Sequence, residues 1–128
     1  MKANVLIDSH GWIEYFSNGS LAPKYATHIE SVSQSNSITP TIVLYEVYKR
    51  MKSFKGETFA LEAIANIVEH TTIVVVDAKI CISAAEISLR TKLAMADSII
   101  KATAENFQAK IVTGDPHFKG LSDVVFIE

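Results

Sequence analysis

Short runs of β-branched and other apolar residues alternate with helical segments along this chain, and this alternation is the feature that most restricts its fold. The runs predict five strands, at residues 3–7, 37–39, 72–76, 110–113 and 124–127. Strands that alternate with helices form a parallel sheet covered by helices on both faces. The sequence therefore predicts a single three-layer α/β domain that spans residues 1–128.

Six helices are predicted between these strands, from apolar spacing, proline positions and capping residues. The first follows Ser9 as its cap and stops at Asn18, and the second has Pro23 in its first turn and continues to Val32. The third opens at Pro40, with Thr39 as its cap. The approximate ranges predicted for the last four helices are 40–52, 57–69, 77–90 and 93–104.

The helix at 93–104 is rich in Ala and long apolar side chains and precedes the strand at 110–113, so the two run antiparallel. About twelve helical residues rise roughly 18 Å, which is also about the length of a five-residue strand. Asp97, in the first turn, is therefore predicted to lie level with the strand's far end, the edge where open parallel sheets bind ligands. The apolar residues of this segment are expected to be mostly buried: Met95, Ala96, Ile99, Ile100 and Phe107.

Three further acids are predicted at the same edge of the sheet. Asp8 ends the first strand and Asp115 lies just past the fourth, and parallel strands share the direction of their carboxyl ends. Glu46 lies six residues into a helix that starts at this edge, roughly 9 Å down its axis. Because helical side chains tilt toward the N-terminus, Glu46 is expected to point up into the same pocket.

Each acid also has an ordinary structural interpretation. Asp97 suits the first turn of a helix, with Lys101 as an ion partner. Asp8 could simply end a strand, Glu46 could pair with Arg50, and Asp115 is a common turn residue. Asp77 also ends a strand, but it directly precedes a helix and is interpreted as a cap.

Four converging carboxylates would repel one another unless some hold protons or cations lie between them. Oxygen ligands without a His or Cys cluster favour Mg²⁺ or Mn²⁺ over zinc. Such an ion suits phosphodiester hydrolysis. Thr113 and Ser9 are candidate accessory hydroxyls that orient a water or a phosphate, with local capping or turn bonding as the alternative, equally plausible for Ser9.

Charge and composition restrict the possible partners. The net charge of −2 gives no bulk basic field for nucleic acid, although Lys49, Arg50 and Lys52 form a basic cluster after Glu46. This cluster could hold a nucleic-acid backbone or could be a solvated helix face. His10 and His117 lie near the predicted edge, and either substrate contact or simple solvation would explain them.

The single cysteine excludes an intrachain disulfide and a thiolate zinc site. Apolar runs are far shorter than a membrane span, and strand-type sequence begins within three residues of Met1. We therefore expect no signal peptide, no membrane partner and a cytoplasmic location.

The chain resembles the PIN-domain family over essentially its whole length. The resemblance rests on Asp8 after the first strand, Glu46 in a Pro-initiated third helix, the segment 96–104, and Thr113-Gly114-Asp115 with Phe118. Size and order are similar to those of VapC-type toxins. The resemblance implies a sheet of order 3-2-1-4-5 and Mg²⁺- or Mn²⁺-dependent endoribonuclease activity. It further implies an RNA substrate, a homodimer, an antitoxin partner, and catalytic and metal-binding roles for Asp8, Glu46, Asp97 and Asp115, with Thr113 and Ser9 as accessory residues.

Other function classes with acidic pockets fit less well. A receiver domain needs adjacent acids after the first strand, whereas Ile7 and Ser9 flank Asp8. An aspartate-nucleophile phosphatase needs a second acid where His10 stands. A non-catalytic PIN-like module that binds RNA or protein, and an RNA-processing nuclease without an antitoxin, stay open as alternatives.

Overall fold

The computed structural model describes residues 4–128, in which helices cover both faces of a central parallel sheet. The predicted α/β class is confirmed. The strands are β1 (Val5–Ile7), β2 (Ile38–Pro40), β3 (Thr72–Val74), β4 (Lys110–Thr113) and β5 (Val124–Phe126). The helices are α1 (Ser9–Ser17), α2 (Ala22–Ile29), α3 (Thr41–Lys55), α4 (Glu57–His70), α5 (Ala78–Thr91) and α6 (Met95–Asn106), with a short 3-10 helix at Pro116–Phe118.

The sheet consists of two hydrogen-bonded parts. In the three-stranded part β4 lies between β1 and β5, in the two-stranded part β2 pairs with β3, and all of these pairs are parallel. The two parts meet at a single parallel bridge between Val5 and Ser37, which places β2 beside β1. The expected neighbour order is therefore kept, but the expected continuous pairing between the first two strands is reduced to this bridge.

Several boundaries differ from the predicted ones for local reasons. The third strand ends at Val74 because Val75 is exposed and the Val76 amide donates to the Thr41 hydroxyl instead of a strand. The cap of α3 is Pro40 rather than Thr39, and α2 ends at Ile29, before Val32. Ala3, predicted as the start of the first strand, lies outside the described residues.

The core lies between the sheet and its helices and is closed by large side chains such as Trp12, Tyr25, Met51 and Phe118, all fully buried. Burial of apolar surface at this scale is the main favourable contribution to folding. The sixth helix buries Ile100 as expected, but the prediction for Met95 is wrong. Met95 is the first residue of the helix and is 74% exposed, because it lines an open groove between α5 and α6 instead of the core.

No helix within residues 4–128 has both the length and the hydropathy needed to cross a lipid bilayer.

Candidate metal centre and nucleic-acid groove

Asp8 is a buried carboxylate at the junction of β1 and α1, where it is only 2% exposed. It is the N-cap of α1, and its Oδ1 accepts a hydrogen bond from the Gly11 amide at 2.9 Å. Its Oδ2 accepts from the Thr113 hydroxyl at 2.5 Å. Ser9, predicted as the cap, is the first helical residue instead, so the same acid that ends the strand also begins the helix.

Thr113 connects Asp8 to the loop that carries Asp115. Its hydroxyl donates to Asp8 and accepts from the Asp115 amide at 2.9 Å, and its side chain is fully buried at the end of β4. Because one hydroxyl has one proton and two lone pairs, both bonds can form together. The predicted position of Thr113 beside two acids is therefore found.

Asp97 and Asp115 come together with a histidine at the carboxyl edge of the sheet. One carboxylate oxygen of each acid and one ring nitrogen of His117 all lie within 4.8 Å of one another. The His117 Nδ1 is 3.1 Å from Asp115 Oδ1 and 3.5 Å from Asp97 Oδ2. Lys101, the alternative ion partner of Asp97, instead donates to the Ser122 carbonyl and lies 3.7 Å from Glu105.

Glu46 faces this cluster from α3 without forming the alternative pair with Arg50. Its Oε1 is buried and has no hydrogen-bond partner among residues 4–128. A buried carboxylate oxygen without a donor is unfavourable, so an electropositive group is expected to contact it in the working protein. The charge of Glu46 also helps raise the pKa of Asp97, which places it within electrostatic reach of that acid.

The acids of the cluster are partly buried and lie close enough together to raise the pKa values of Asp8 and Asp97. The pKa of Asp8 is raised to about 7, chiefly by burial and also by the charges of Asp115 and Asp97, although the hydrogen bonds from Thr113 and Gly11 oppose this shift. The pKa of Asp97 is raised to about 6, chiefly by burial and also by the charges of Asp115 and Glu46, whereas His117 opposes this shift. Each of the four acids therefore lies close enough to at least one other to act on its charge.

The donor set fits a divalent cation. Asp97, Asp115 and His117 are close enough to bind one ion together, and Glu46 has a buried carboxylate oxygen without a hydrogen-bond partner among the described residues. Asp8 and Glu46 are not members of the group whose atoms lie within 4.8 Å of one another. Their predicted role as direct ligands stays a prediction, as does the catalytic role of all four acids.

A tyrosine that the sequence analysis did not single out holds the loop of Asp115 in place. The fully buried Tyr25 accepts a hydrogen bond from the Gly114 amide, and its hydroxyl is 2.8 Å from His10 Nδ1. Gly114 is required here because a Cβ would lie 2.9 Å from the Ile127 carbonyl oxygen. His10 is therefore bound to Tyr25. In the sequence, Tyr25 is only an aromatic residue at an apolar position of a predicted helix, and this pattern does not indicate which group its hydroxyl contacts.

An open groove of about 350 Å³ lies beside Glu46, between α1 and α3. It contains both a hydroxyl, Ser9, and two cations of the predicted basic cluster, Lys49 and Arg50. Tyr45 is 60% exposed at its side, with the Lys49 Nζ 5.7 Å from the ring centroid. The residues that line it are Ser9, Ile13, Tyr45, Glu46, Lys49, Arg50 and Ser53.

The structure resembles solved toxin–antitoxin proteins. It aligns with a chain of a toxin-antitoxin complex from Klebsiella pneumoniae at a TM-score of 0.77 and 23% identity, covering 95% of this chain and 96% of that one. Against VapC20, a sarcin-ricin loop cleaving toxin from Mycobacterium tuberculosis, the TM-score is 0.82 at 16% identity, with 98% and 100% covered. A chain of FitAcB from Neisseria gonorrhoeae gives 0.72 at 16% identity, with 97% and 96% covered.

Sequence comparison gives the family directly. No curated protein matches the chain significantly. The model of the PIN domain matches residues 5–124, which include every acid of the cluster. The chain therefore belongs to the PIN-domain family.

Proposed function

We propose that this protein is a divalent-cation-dependent endoribonuclease and the toxin of a toxin–antitoxin pair, with Mg²⁺ or Mn²⁺ as its cofactor. The observation that carries the proposal is the grouping of Asp97, Asp115 and His117 at the carboxyl edge of the sheet, with Asp8 and Glu46 close enough to act on their charges. The similarity to VapC20, itself a toxin that cleaves the sarcin-ricin loop, supports RNA as the substrate.

The chain's own residues divide into cation-binding and positioning groups. When bound, a divalent cation supplies an acidified water and stabilises negative charge that develops on the phosphate. Asp97 and Asp115 would hold the cation, and the negative charge of Glu46, which acts on Asp97, would add to the attraction for the cation. Asp8 fixes Thr113, whose hydroxyl in turn fixes the Asp115 amide, so the position of one cation-binding residue depends on a bond network from another strand. Tyr25 restrains the same loop through the Gly114 amide.

We expect RNA cleavage to require the cation. Metal-free protein should be inactive on a labelled single-stranded RNA, and added Mg²⁺ or Mn²⁺ should restore cleavage, because the acids alone supply neither an activated water nor a positive charge. The measurement is the initial rate of product formation on a denaturing gel, with and without EDTA. Cleavage that persists in excess EDTA would contradict the proposal, and cation binding without cleavage of any RNA tested would favour the non-catalytic module.

The groove beside Glu46 is proposed to bind the substrate strand. The positive charges of Lys49 and Arg50 would attract the negative phosphate backbone, and the exposed ring of Tyr45 offers a stacking surface for an unpaired base. The net charge of −2 provides no general attraction for nucleic acid, so the attraction would come from this local basic surface.

The double variant Lys49→Ala/Arg50→Ala is expected to bind RNA more weakly and with less salt dependence. In EDTA, the plot of log binding constant against log salt concentration should become shallower by roughly 0.7 for each lost phosphate contact, as for single strands. Fluorescence anisotropy of a labelled single-stranded RNA measures this slope. Lys79→Ala, an exposed lysine of α5 outside the groove lining, is the control. An unchanged slope in the double variant would place the RNA elsewhere.

Two protein partners complete the proposal. A homodimer is supported by the exposed side chains of Ile82, Leu89 and Met95 on α5 and α6, which water contacts in the single chain. An antitoxin is supported by the similarity to a chain of a toxin-antitoxin complex. Co-expression with the adjacent reading frame, followed by measurement of the mass of the purified complex, tests both. The cytoplasmic location stays a prediction.

A further inference from the structure

His117 brings a nitrogen atom to a site that the sequence analysis predicted to consist of oxygens alone. It follows Pro116 in the short 3-10 helix after β4, and the Asp115 side chain accepts a hydrogen bond from its amide at 2.9 Å. The next residue, Phe118, is fully buried and anchors this turn to the core. The backbone of His117 is therefore held at the site although its side chain is 73% exposed.

The spacing of the three side chains is that of ligands on one ion. Adjacent ligands of an octahedral cation, each about 2.1 Å from it, are separated by about 3 Å. His117 Nδ1 is 3.1 Å from Asp115 Oδ1 and 3.5 Å from Asp97 Oδ2, and all three ligand atoms lie within 4.8 Å of one another. Little movement is needed for the imidazole to share a cation with both acids.

The other histidine of this region is occupied differently. The His10 Nδ1 is 2.8 Å from the Tyr25 hydroxyl, so it contributes to the loop network rather than to the acidic cluster. The nitrogen donor that faces Asp97 and Asp115 among the described residues is therefore that of His117.

We propose that His117 Nδ1 is a direct ligand of the bound cation and that it makes this site prefer Mn²⁺ over Mg²⁺. The inference rests on the proposed function, because it concerns the cation of the same site. Mg²⁺ demands hard oxygen ligands. Mn²⁺ also binds carboxylates well, but as a first-row transition ion it accepts an imidazole nitrogen more readily than Mg²⁺ does. A mixed set of two carboxylates and one imidazole therefore binds Mn²⁺ more favourably than an oxygen-only set would.

The test is the binding of Mn²⁺ to the metal-free protein, followed by electron paramagnetic resonance. In the wild-type protein, pulsed spectra should contain the nuclear modulation of a directly coordinated imidazole ¹⁴N, and they should lack it in His117→Ala. Isothermal titration should give a Mn²⁺ affinity in His117→Ala lower by roughly tenfold to a hundredfold, while the Mg²⁺ affinity changes much less. His70→Ala is the matched control, because His70 is exposed at the end of α4 and bonds to the Asn66 carbonyl.

The outcomes separate this inference from the proposed function. If Mn²⁺ binds and Asp97→Asn abolishes the binding, but no nitrogen modulation is found in the wild type, the inference is wrong and the proposed cation site stands. Modulation that survives in His117→Ala would also overturn it. If neither Mn²⁺ nor Mg²⁺ binds the wild-type protein at millimolar concentration, the inference and the proposed function fail together.

Discussion

Replacing Asp97 by asparagine is expected to slow RNA cleavage by at least about a hundredfold, since charge stabilisation by a bound cation is worth several kcal/mol and each 1.4 kcal/mol is a factor of ten. Asparagine keeps the shape of the side chain but removes the anionic oxygen that faces Asp115 and His117. The rate is measured on the same single-stranded RNA at saturating Mg²⁺ or Mn²⁺.

Loss of folding would not explain this loss of activity. Burial and the neighbouring acids raise the pKa of Asp97 to about 6, so the folded protein already disfavours its charge at neutral pH. A neutral side chain should therefore leave the melting temperature of the metal-free protein unchanged or higher. A variant that melts normally yet cleaves RNA at the wild-type rate would remove Asp97 from the mechanism.

Asp123→Asn is the matched control for charge. Asp123 is exposed just before β5, and its left-handed backbone, with φ of 57°, is tolerated by asparagine as well as aspartate. Both variants raise the net charge by one unit, so a general electrostatic effect on RNA binding would appear in both. Only the loss of an oxygen at the cluster is specific to Asp97.

The acids could be located from the sequence because their positions follow from topology. Asp8 and Asp115 come after strands that share a direction, and Asp97 lies level with them because a helix that precedes a parallel strand must run back along it. These arguments need only the order and length of the elements. The tilt of helical side chains toward the N-terminus supplied the remaining step for Glu46.

The histidine and tyrosine contributions could not be predicted in the same way. The position of the His117 ring depends on the turn formed by Pro116 and by the hydrogen bond to the Asp115 side chain. The sequence pattern does not give the geometry of this turn. Tyr25 bonds to an amide 89 residues away, a distance in sequence that no local pattern describes. The reduced pairing between β1 and β2 likewise results from tertiary packing rather than from strand propensity.

Replacing Asp8 by asparagine is expected to abolish RNA cleavage and, in the metal-free protein at pH 8, to stabilise the fold. The pKa of Asp8 is raised from 3.8 to about 7, so the folded state binds this proton more tightly than the unfolded chain does. The contribution of Asp8 to the free energy of unfolding is therefore fully present below pH 4. It decreases as the pH rises from 4 to 7 and does not recover above pH 7. The difference of about three pKa units corresponds to at most about 4 kcal/mol.

Asparagine removes this loss because it has no charge to bury. Its oxygen can still accept from the Gly11 amide and cap α1, while the Thr113 hydroxyl must rotate to face an amide, at a cost of about 1 kcal/mol. The net gain at pH 8 is then about 2 to 3 kcal/mol, or roughly 5 to 12 °C in melting temperature for a domain of this size. At pH 4 the gain should vanish. The measurement is thermal or urea unfolding across this pH range in EDTA.

Asp77→Asn is the control that isolates the acidic cluster from helix capping. Asp77 also follows a strand and caps a helix, since its Oδ1 accepts from the Ile80 amide at 2.9 Å, but it is exposed and belongs to no acidic cluster in the described part of the chain. Its substitution should change stability little at either pH. Addition of Mn²⁺ should then raise the melting temperature of the wild type more than that of Asp8→Asn, because a cation near Asp97 and Asp115 stabilises the ionised form of Asp8. Equal melting temperatures for Asp8→Asn and the wild type at pH 8 in EDTA would mean that the folded protein accommodates this buried charge without a cation.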